Sequence, residues 1–193
     1  QPEAALAARE LALGVAGIEA DLAVLFASHH YEPQFQELLS GVHDAIDARN
    51  LIGCAGESII GPNHEIERRP AAVLWVAQMP GVRVLPFVID YADLESLDTN
   101  EAWWDRIGLV PNDRPSFIII PDPFSIPTDE VLARMDQAFP CSPIVGGMAS
   151  GAEAPGQPRL CSNDQVLRQG AVGVSLTGDV AITTLVSQGC RPV

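Results

Sequence analysis

Short apolar runs alternate with amphipathic stretches along this chain. Residues 21–27, 51–54 and 116–120 are short and almost continuously apolar, which is typical of strands buried on both faces. Residues 33–49 instead place apolar side chains on one face at helical spacing, and residues 127–139 repeat that pattern. Strands that alternate with helices in this way predict an α/β fold.

Two further pairs of strands follow these units. Residues 71–78 and 82–89 flank Met79-Pro80-Gly81. Because a Pro-Gly pair favours a tight turn, these strands are predicted to form an antiparallel hairpin. Residues 171–176 and 180–186 are predicted to form a second hairpin, with its turn at Thr177-Gly178-Asp179.

The order of strand, helix, strand and hairpin therefore occurs twice. It predicts one α/β domain with α+β character, in which two similar β-α-β-β halves surround a mixed sheet core. The predicted domain spans residues 1–193, with half-repeats at about 21–90 and 116–188 and a connector at 91–115.

Glycine-rich turns after the inner strand of each half are the candidate binding loops, at residues 53–56 and 146–151. Glycine lets backbone or ligand approach closely, and the N–H groups of such turns commonly face a ligand. Because ligands of α/β proteins lie outside the carboxyl ends of strands, both halves are predicted to share one crevice. Its predicted lining is Ser28, His29, His30, Gly53, Cys54, Ala55, Gly56, Asp122, Phe124, Gly146, Gly147, Met148 and Ser150.

Charge and hydropathy exclude two classes of partner. The formal net charge of -14 argues against nucleic acid and against anionic membrane surfaces. No stretch approaches the length of about 18 consecutive apolar residues that a membrane-spanning helix needs.

The cysteines do not predict a metal site. Cys54, Cys141, Cys161 and Cys190 show no C-x-x-C motif and no paired Cys/His spacing, so a structural zinc site is not predicted. We interpret them as buried reduced thiols of a cytosolic protein. A reactive or ligand-binding thiol at Cys54 or Cys190 is the alternative.

Four polar residues are candidates for direct ligand contact. His29 and His30 follow a buried strand and could orient a carboxylate, ligate a metal or haem, or act as a base; packing and solvation are the alternative. Asp122 holds the equivalent place in the second half, where it could bind an ammonium group or simply form a local turn. Arg191 could pair with a ligand carboxylate or form a salt bridge to another domain.

Enzymatic activity is the main alternative to ligand sensing. Cys54, Ser150 and Cys190 are candidate nucleophiles of a hydrolase or transferase, with His29 or His30 as the base. The chain nevertheless has no Gly-x-Ser-x-Gly elbow, no P-loop and no Gly-x-Gly-x-x-Gly motif. We therefore assign no catalytic or metal residues and favour a small-ligand sensor over an enzyme or a protein-interaction scaffold.

The chain also carries four distinctive segments. They are Ile-Gly-Cys-Ala-Gly at 52–56, Val-Gly-Gly-Met-Ala-Ser-Gly at 145–151, Gly-Ala-Val-Gly-Val-Ser-Leu-Thr-Gly-Asp-Val at 170–180 and Val-Ser-Gln-Gly-Cys-Arg-Pro at 186–192. Together they resemble the N-terminal FIST domain, named for F-box and intracellular signal transduction proteins. The resemblance extends over about residues 21–193, and its last two segments are the most specific.

The resemblance implies a cytoplasmic sensory or scaffold domain that binds a small ligand, proposed to be an amino acid or a related metabolite. It further implies a second, C-terminal FIST domain as a partner, which usually follows the Gly-Cys-Arg-Pro segment and is absent from this chain, and a downstream signalling protein. Some proteins with FIST domains are reported as haem-binding nitric-oxide sensors, so haem is the cofactor to consider if there is one.

Overall fold

The structure, a computed structural model, describes residues 3–110 and 112–185. Its helices are α1 (Ala4–Gly14), α2 (Phe35–Ala45), α3 (Asn100–Ile107) and α4 (Thr128–Ala138). Its strands are β1 (Leu22–Ser28), β2 (Leu51–Gly56), β3 (Ile59–Ile60), β4 (Glu65–Ile66), β5 (Ala72–Ala77), β6 (Val82–Ile89), β7 (Ser116–Pro121), β8 (Ile144–Gly146), β9 (Leu160–Ser162), β10 (Gln165–Leu167) and β11 (Ala171–Gly178). The predicted α/β class is confirmed.

The larger strands form two mixed sheets. One sheet has five strands in the order β10-β9-β2-β1-β5, and the other has four in the order β6-β11-β7-β8. In the first sheet β1 lies parallel to β2 and antiparallel to β5. In the second, β7 lies parallel to β8 and antiparallel to β11, so the two central strands have the same kinds of neighbours.

The two sheets pack face to face between two layers of helices. Side chains alternate between the faces of a strand, and Val24, Ile52 and Val174 lie in the cluster between the sheets. The outer face of the five-stranded sheet packs against α1 and α2. The outer face of the four-stranded sheet packs against α3 and α4. The architecture is therefore helix, sheet, sheet, helix.

Neither predicted hairpin forms. β5 lies at the edge of the five-stranded sheet, whereas β6 lies at the edge of the four-stranded sheet, so the turn at Pro80-Gly81 carries the chain from one sheet to the other. A tight turn reverses the chain but does not require its flanking strands to pair. β11 pairs with β6 and β7, so residues 180–185 are not its partner; Val186 lies outside the described residues.

The first amphipathic helix is shorter than predicted. α2 begins at Phe35 and ends at Ala45, and a 3-10 helix at His29–Gln34 precedes it. Pro33 lies inside that 3-10 helix. This places His29 and His30 on a tight turn that leads directly from β1 into the helix.

The central strands of the two sheets share their pairing registers. Gly53 pairs with Leu25 across β1 and β2, and Gly146 pairs with Ile119 across β7 and β8. At the strand ends, the Ser28 N–H donates to the Ala71 carbonyl and the Asp122 N–H donates to the Gly170 carbonyl, each at 2.8 Å. This equivalence of pairing is observed, while duplication of the two halves stays a prediction.

Candidate functional site

A cavity of about 400 Å³ lies between the two sheets, near the carboxyl ends of β1, β2, β7 and β8. Its lining is mainly apolar and comes from both sheets and from the glycine turns. The lining residues are Val24, Phe26, Cys54, Gly56, Ser58, Ile59, Ile60, Val73, Ile118, Ile120, Gly146, Gly147, Met148 and Ser150. The volume falls within the range of about 300–1,000 Å³ that is typical of small-molecule sites.

The two glycine turns contact each other beside this cavity. The Gly151 N–H donates to the Ala55 carbonyl at 3.1 Å, and the Glu57 N–H donates to Ser150 Oγ at 3.2 Å. The structure therefore brings together the loops that follow β2 and β8, which are far apart in sequence. These bonds fix one wall of the cavity.

Close strand packing explains a glycine in each of these segments. A Cβ on Gly53 would lie 1.9 Å from the Leu25 carbonyl oxygen, and one on Gly146 would lie 1.8 Å from the Ile119 carbonyl oxygen. Gly146 also has a φ of +150°, which side chains rarely allow. Both glycines are required by the sheet itself, whereas a Cβ on Gly147 would meet no atom within 4 Å.

Six of the predicted site residues line the cavity: Cys54, Gly56, Gly146, Gly147, Met148 and Ser150. Seven others are absent from its lining: Ser28, His29, His30, Gly53, Ala55, Asp122 and Phe124. Arg191 lies outside the described residues. The apolar lining residues on the inner faces of the strands, such as Phe26 and Ile118, were missed. Their alternating positions along the strands were the available signal.

A polar cluster of His29, His30, Ser28 and Glu57, called here the histidine cluster, lies next to the cavity, since Glu57 sits between two lining residues. The two imidazole rings stack with centroids 4.1 Å apart. Nδ1 of His30 lies 3.2 Å from Ser28 Oγ. Nδ1 of His29 lies 3.5 Å from Glu57 Oε2, close enough for an ion pair with a protonated ring, but it makes no hydrogen bond.

The environment of the histidine cluster disfavours a charge on His30. Burial lowers the pKa of the His30 ring, the neighbouring His29 lowers it further, and the Glu57 carboxylate acts in the opposite direction. A neutral imidazole keeps one nitrogen as an acceptor and the other as a donor. The His30 ring is therefore suited to hydrogen bonding rather than to holding an anion.

A buried arginine flanks the histidine cluster and was missed by the sequence analysis. The Arg159 guanidinium donates to Glu32 Oε1 at 2.6 Å and to the Gln157 carbonyl at 2.6 Å. The Arg159 carbonyl accepts from the Ala55 N–H. Arg159 thus links the 3-10 helix after β1 to β2 at the glycine turn of residues 53–56, and these bonds hold the two segments together.

Asp122 is engaged in its own turn. Its side chain is fully buried, one carboxylate oxygen accepts from the Phe124 N–H at 3.0 Å, and the other accepts from the Ser125 hydroxyl. Ser125 Oγ in turn accepts from the Gly170 N–H at 2.7 Å. This arrangement supports the local-turn interpretation, and ligand contact through Asp122 stays a prediction.

Cys54 is poorly suited to act as a nucleophile. Burial raises the pKa of its thiol to about 12, so the reactive thiolate is scarce near neutral pH. The Ser150 hydroxyl, the other described candidate, accepts the Glu57 N–H. Cys190, the remaining candidate, lies outside the described residues.

The described residues do not place a cluster of metal-binding side chains inside the cavity. No group of three or more His, Cys, Asp or Glu side chains is positioned to hold a metal ion in residues 3–110 and 112–185. The cavity lining contains no histidine. His29 and His30, the predicted haem ligands, stack on each other beside Glu57 instead, so neither of them lines this cavity.

A larger groove of about 700 Å³ lies elsewhere, beside Trp104 and between residues 112–116 and 138–143. These segments precede β7 and β8, so the groove lies at the amino-terminal ends of the parallel strands. Since α/β sheets bind ligands at the carboxyl ends of their strands, the inter-sheet cavity is the better candidate site.

Comparison with known proteins identifies the class to which this fold and site belong. The sequence model of the FIST N domain matches residues 21–193. The chain therefore belongs to the FIST N domain family, as its glycine turns and its segments at 170–180 and 186–192 had indicated.

Its relatives include mycobacterial proteins. The chain is 34% identical over 192 residues to "Uncharacterized protein Rv0628c" of Mycobacterium tuberculosis strain H37Rv, an alignment that covers 99% of this chain and 47% of that protein. It is also 34% identical over 180 residues to "Uncharacterized protein Mb0898c" of Mycobacterium bovis, covering 93% and 45%. The chain thus spans about half the length of these curated relatives.

The described helices show no membrane-spanning segment. None is both long enough and apolar enough to cross a bilayer, which agrees with the prediction from hydropathy.

Proposed function

We propose that this chain is a sensory domain that binds a small, neutral and largely apolar molecule in the inter-sheet cavity. The observation that carries the proposal is the cavity itself, which has an apolar lining, is built from both sheets and is closed on one side by the two glycine turns. Membership of the FIST N domain family supports a sensory role in signal transduction.

The lining favours a neutral ligand over a zwitterion. None of the described residues that line the cavity carries a charge, and desolvating a charged group without a partner costs several kcal/mol. The net charge of -14 also repels anions. A free amino acid, which the family resemblance suggests, would find no oppositely charged side chain for its ammonium or carboxylate group among the described lining residues.

Two serines and the backbone would orient such a ligand. Ser58 and Ser150 are the hydroxyl-bearing residues of the lining, and a hydroxyl can both donate and accept a hydrogen bond. A few polar groups in a largely apolar pocket are the usual source of ligand orientation. We therefore propose a ligand with one hydroxyl, carbonyl or ring N–H group.

The output of sensing is proposed to lie in another part of a longer protein. The curated relatives are about twice as long as this chain. A C-terminal FIST domain is proposed as the partner that receives the ligand signal, with a downstream signalling protein beyond it.

Matched probes test the ligand class directly. Indole and 4-methylphenol are neutral aromatic molecules, and tryptophan and tyrosine carry the same rings with charged ammonium and carboxylate groups. We expect the neutral probes to raise the melting temperature with concentration, since a ligand of the folded state stabilises it by RT ln(1 + [L]/Kd). The two amino acids should have little effect.

A pair of glycine variants provides the control. Gly147→Leu adds a side chain at the cavity wall, where its Cβ would meet no atom within 4 Å, and should weaken probe binding by about tenfold or more, that is about 1.4 kcal/mol. Gly14→Leu at the end of α1 makes the same change where a Cβ also meets no atom within 4 Å, and it should leave binding unchanged. Equal responses to tryptophan and indole would contradict the proposed ligand class, and no response to any probe in the parent chain would count against the cavity as the site.

A further inference from the structure

The outer edge of β5 has no partner strand in the part of the chain that the structure describes. β5 is the last strand of the five-stranded sheet and pairs with β1 on one side. Its Trp75 is 51% exposed on that sheet's edge. Free edges present unpaired N–H and C=O groups to any extended segment nearby.

The register identifies which groups of β5 are unpaired. The Ser28 N–H donates to the Ala71 carbonyl, and successive residues of an antiparallel strand point their N–H groups to opposite sides. Val73 pairs with Phe26, and Trp75 pairs with Val24. The backbone N–H and C=O groups of Val73 and Trp75 therefore point toward β1. Leu74 and Val76 direct their N–H and C=O groups to the free edge.

In the other sheet the equivalent edge is covered. β11 has the place beside β7 that β5 has beside β1, and β6 pairs with its outer edge. The Asp179 N–H donates to the Gly81 carbonyl. Every second residue of β6, counted from Gly81, therefore points its backbone N–H and C=O groups toward β11. Pro86, which has no N–H, falls at a position that points away, as an edge strand allows.

Residues 180–185 follow β11 in the chain as β6 follows β5. Both segments follow the preceding strand through a short glycine-containing turn, and β6 crosses to the opposite sheet. Val82 and Val84 of β6 pack on the cluster between the sheets, and Val180 and Ile182 pack on that same cluster. Matching these alternate positions places Thr184 where β6 has Pro86.

We propose that residues 180–185 dock as a strand on the free edge of β5, antiparallel to it, and so complete the five-stranded sheet. Docking would pair Thr183 with Val76 and Leu185 with Leu74 through main-chain hydrogen bonds, which the described residues do not form in this structure, where Leu185 is 94% exposed. Thr184 then lies opposite Trp75 with its own N–H directed away from β5. The added strand extends the sheet beside Val73, a wall of the inter-sheet cavity.

Amide hydrogen exchange measured residue by residue in the 193-residue chain tests this pairing. The Leu74 and Val76 amides should exchange at least about tenfold more slowly than expected for an unpaired edge. Thr183→Pro removes an N–H that bonds to β5 and should speed exchange at Leu74 and Val76 by about tenfold. Thr184→Pro introduces proline where the N–H points away from β5, and it should leave the exchange rates of Leu74 and Val76 within about twofold of those in the parent chain.

Two results would overturn the proposal. Leu74 and Val76 amides that exchange in the parent chain at the rate of unpaired groups would show that the edge is open. Protection that survives Thr183→Pro but disappears on dilution would assign the edge to a second copy of the chain. Exchange at Val73 and Trp75, whose amides face β1, should be the same in all variants and reports whether each variant is folded.

Discussion

The ends of β1 and β7 share a backbone arrangement but differ in chemistry. Ser28 and Asp122 are both fully buried and both donate their N–H to the equivalent neighbouring carbonyl. After Ser28 the chain presents two stacked histidines next to a glutamate. The Asp122 carboxylate instead accepts hydrogen bonds from Phe124 and Ser125 in the turn that follows.

The difference shows that equivalent positions need not have equivalent roles. The scaffold requires a chain that turns sharply at each strand end, and both sequences meet this requirement. Only the first end keeps titratable side chains partly accessible, and neither end contributes its polar side chains to the cavity lining. The cavity between the sheets is therefore the feature to which both halves contribute.

Substitution of the two strand glycines should have the largest effect on stability. Gly53→Ala and Gly146→Ala should each lower the free energy of unfolding by about 3–5 kcal/mol, because the new Cβ would overlap a carbonyl oxygen of the neighbouring strand. Gly146→Ala should cost more, since its φ of +150° is also unfavourable. Urea unfolding measures both values.

Gly147→Ala is the control for these glycine variants. It adds the same methyl group where no atom lies within 4 Å, and it should change stability by less than about 1 kcal/mol. Equal losses at Gly146 and Gly147 would contradict the view that the strand pairing, rather than the turn, requires glycine.

Removal of the buried polar groups at the two strand ends should have the next largest effect. Asp122→Ala should cost about 2–3 kcal/mol, because the Phe124 N–H and the Ser125 hydroxyl lose a charged acceptor. Ser28→Ala should cost about 1–2 kcal/mol, because the Ala71 N–H loses Ser28 Oγ at 3.1 Å. Chemical denaturation compares the two variants.

Probe binding separates a structural Asp122 from a ligand-binding one. Asp122→Asn keeps an oxygen for the Phe124 N–H and should recover part of the lost stability. If Asp122→Asn instead abolished binding of a cavity probe while stability stayed at the parent value, Asp122 would be a ligand contact and the comparison between the strand ends would fail.

Acidification should have a smaller effect through His30. Burial lowers the pKa of its ring, so the unfolded chain takes up this proton at a higher pH than the folded chain does. Stability that rests on neutral His30 is therefore lost as the pH falls below the ordinary pKa of histidine, about 6.5. Because the ring is partly exposed, the loss between pH 7 and pH 5 should be less than about 1 kcal/mol.

A histidine variant assigns this pH dependence. His30→Gln should reduce the slope of unfolding free energy against pH between pH 7 and pH 5. A steeper slope in His30→Gln would show that the sign of the effect is wrong.

The smallest effect is expected for cavity binding after changes at the histidine cluster. Neither histidine lines the cavity, so a His29→Ala, His30→Ala double variant should bind indole within about twofold of the parent, a difference below about 0.5 kcal/mol. Isothermal titration measures this. Complete loss of binding by a folded double variant would move the site from the cavity to the histidine cluster.

The sequence predicted the α/β class and the positions of most main strands, because short apolar runs and helical spacing report local burial. It did not predict two facing sheets. Pro80-Gly81 signals a reversal of the chain, yet the strand that pairs with β6 is the distant strand β11. No local pattern carries that information.

The site was predictable to a similar extent. The turns at 53–56 and 146–151 were recognised because glycine and small residues follow apolar strands. Phe26, Ile118 and Val73 were missed, since an apolar strand residue looks the same in sequence whether it fills a core or lines a cavity. The histidines were conspicuous because they are polar, but polarity alone did not locate the cavity.

The most direct test of the account is a methyl NMR titration of the parent chain with indole. Binding in the inter-sheet cavity predicts saturable shifts of the Val73, Ile118 and Ile120 methyl signals, which come from the cavity lining, and their loss in Gly147→Leu but not in Gly14→Leu. Shifts confined to other methyl groups, or no shifts at saturating indole, would contradict the claim that the space between the two sheets is the ligand site.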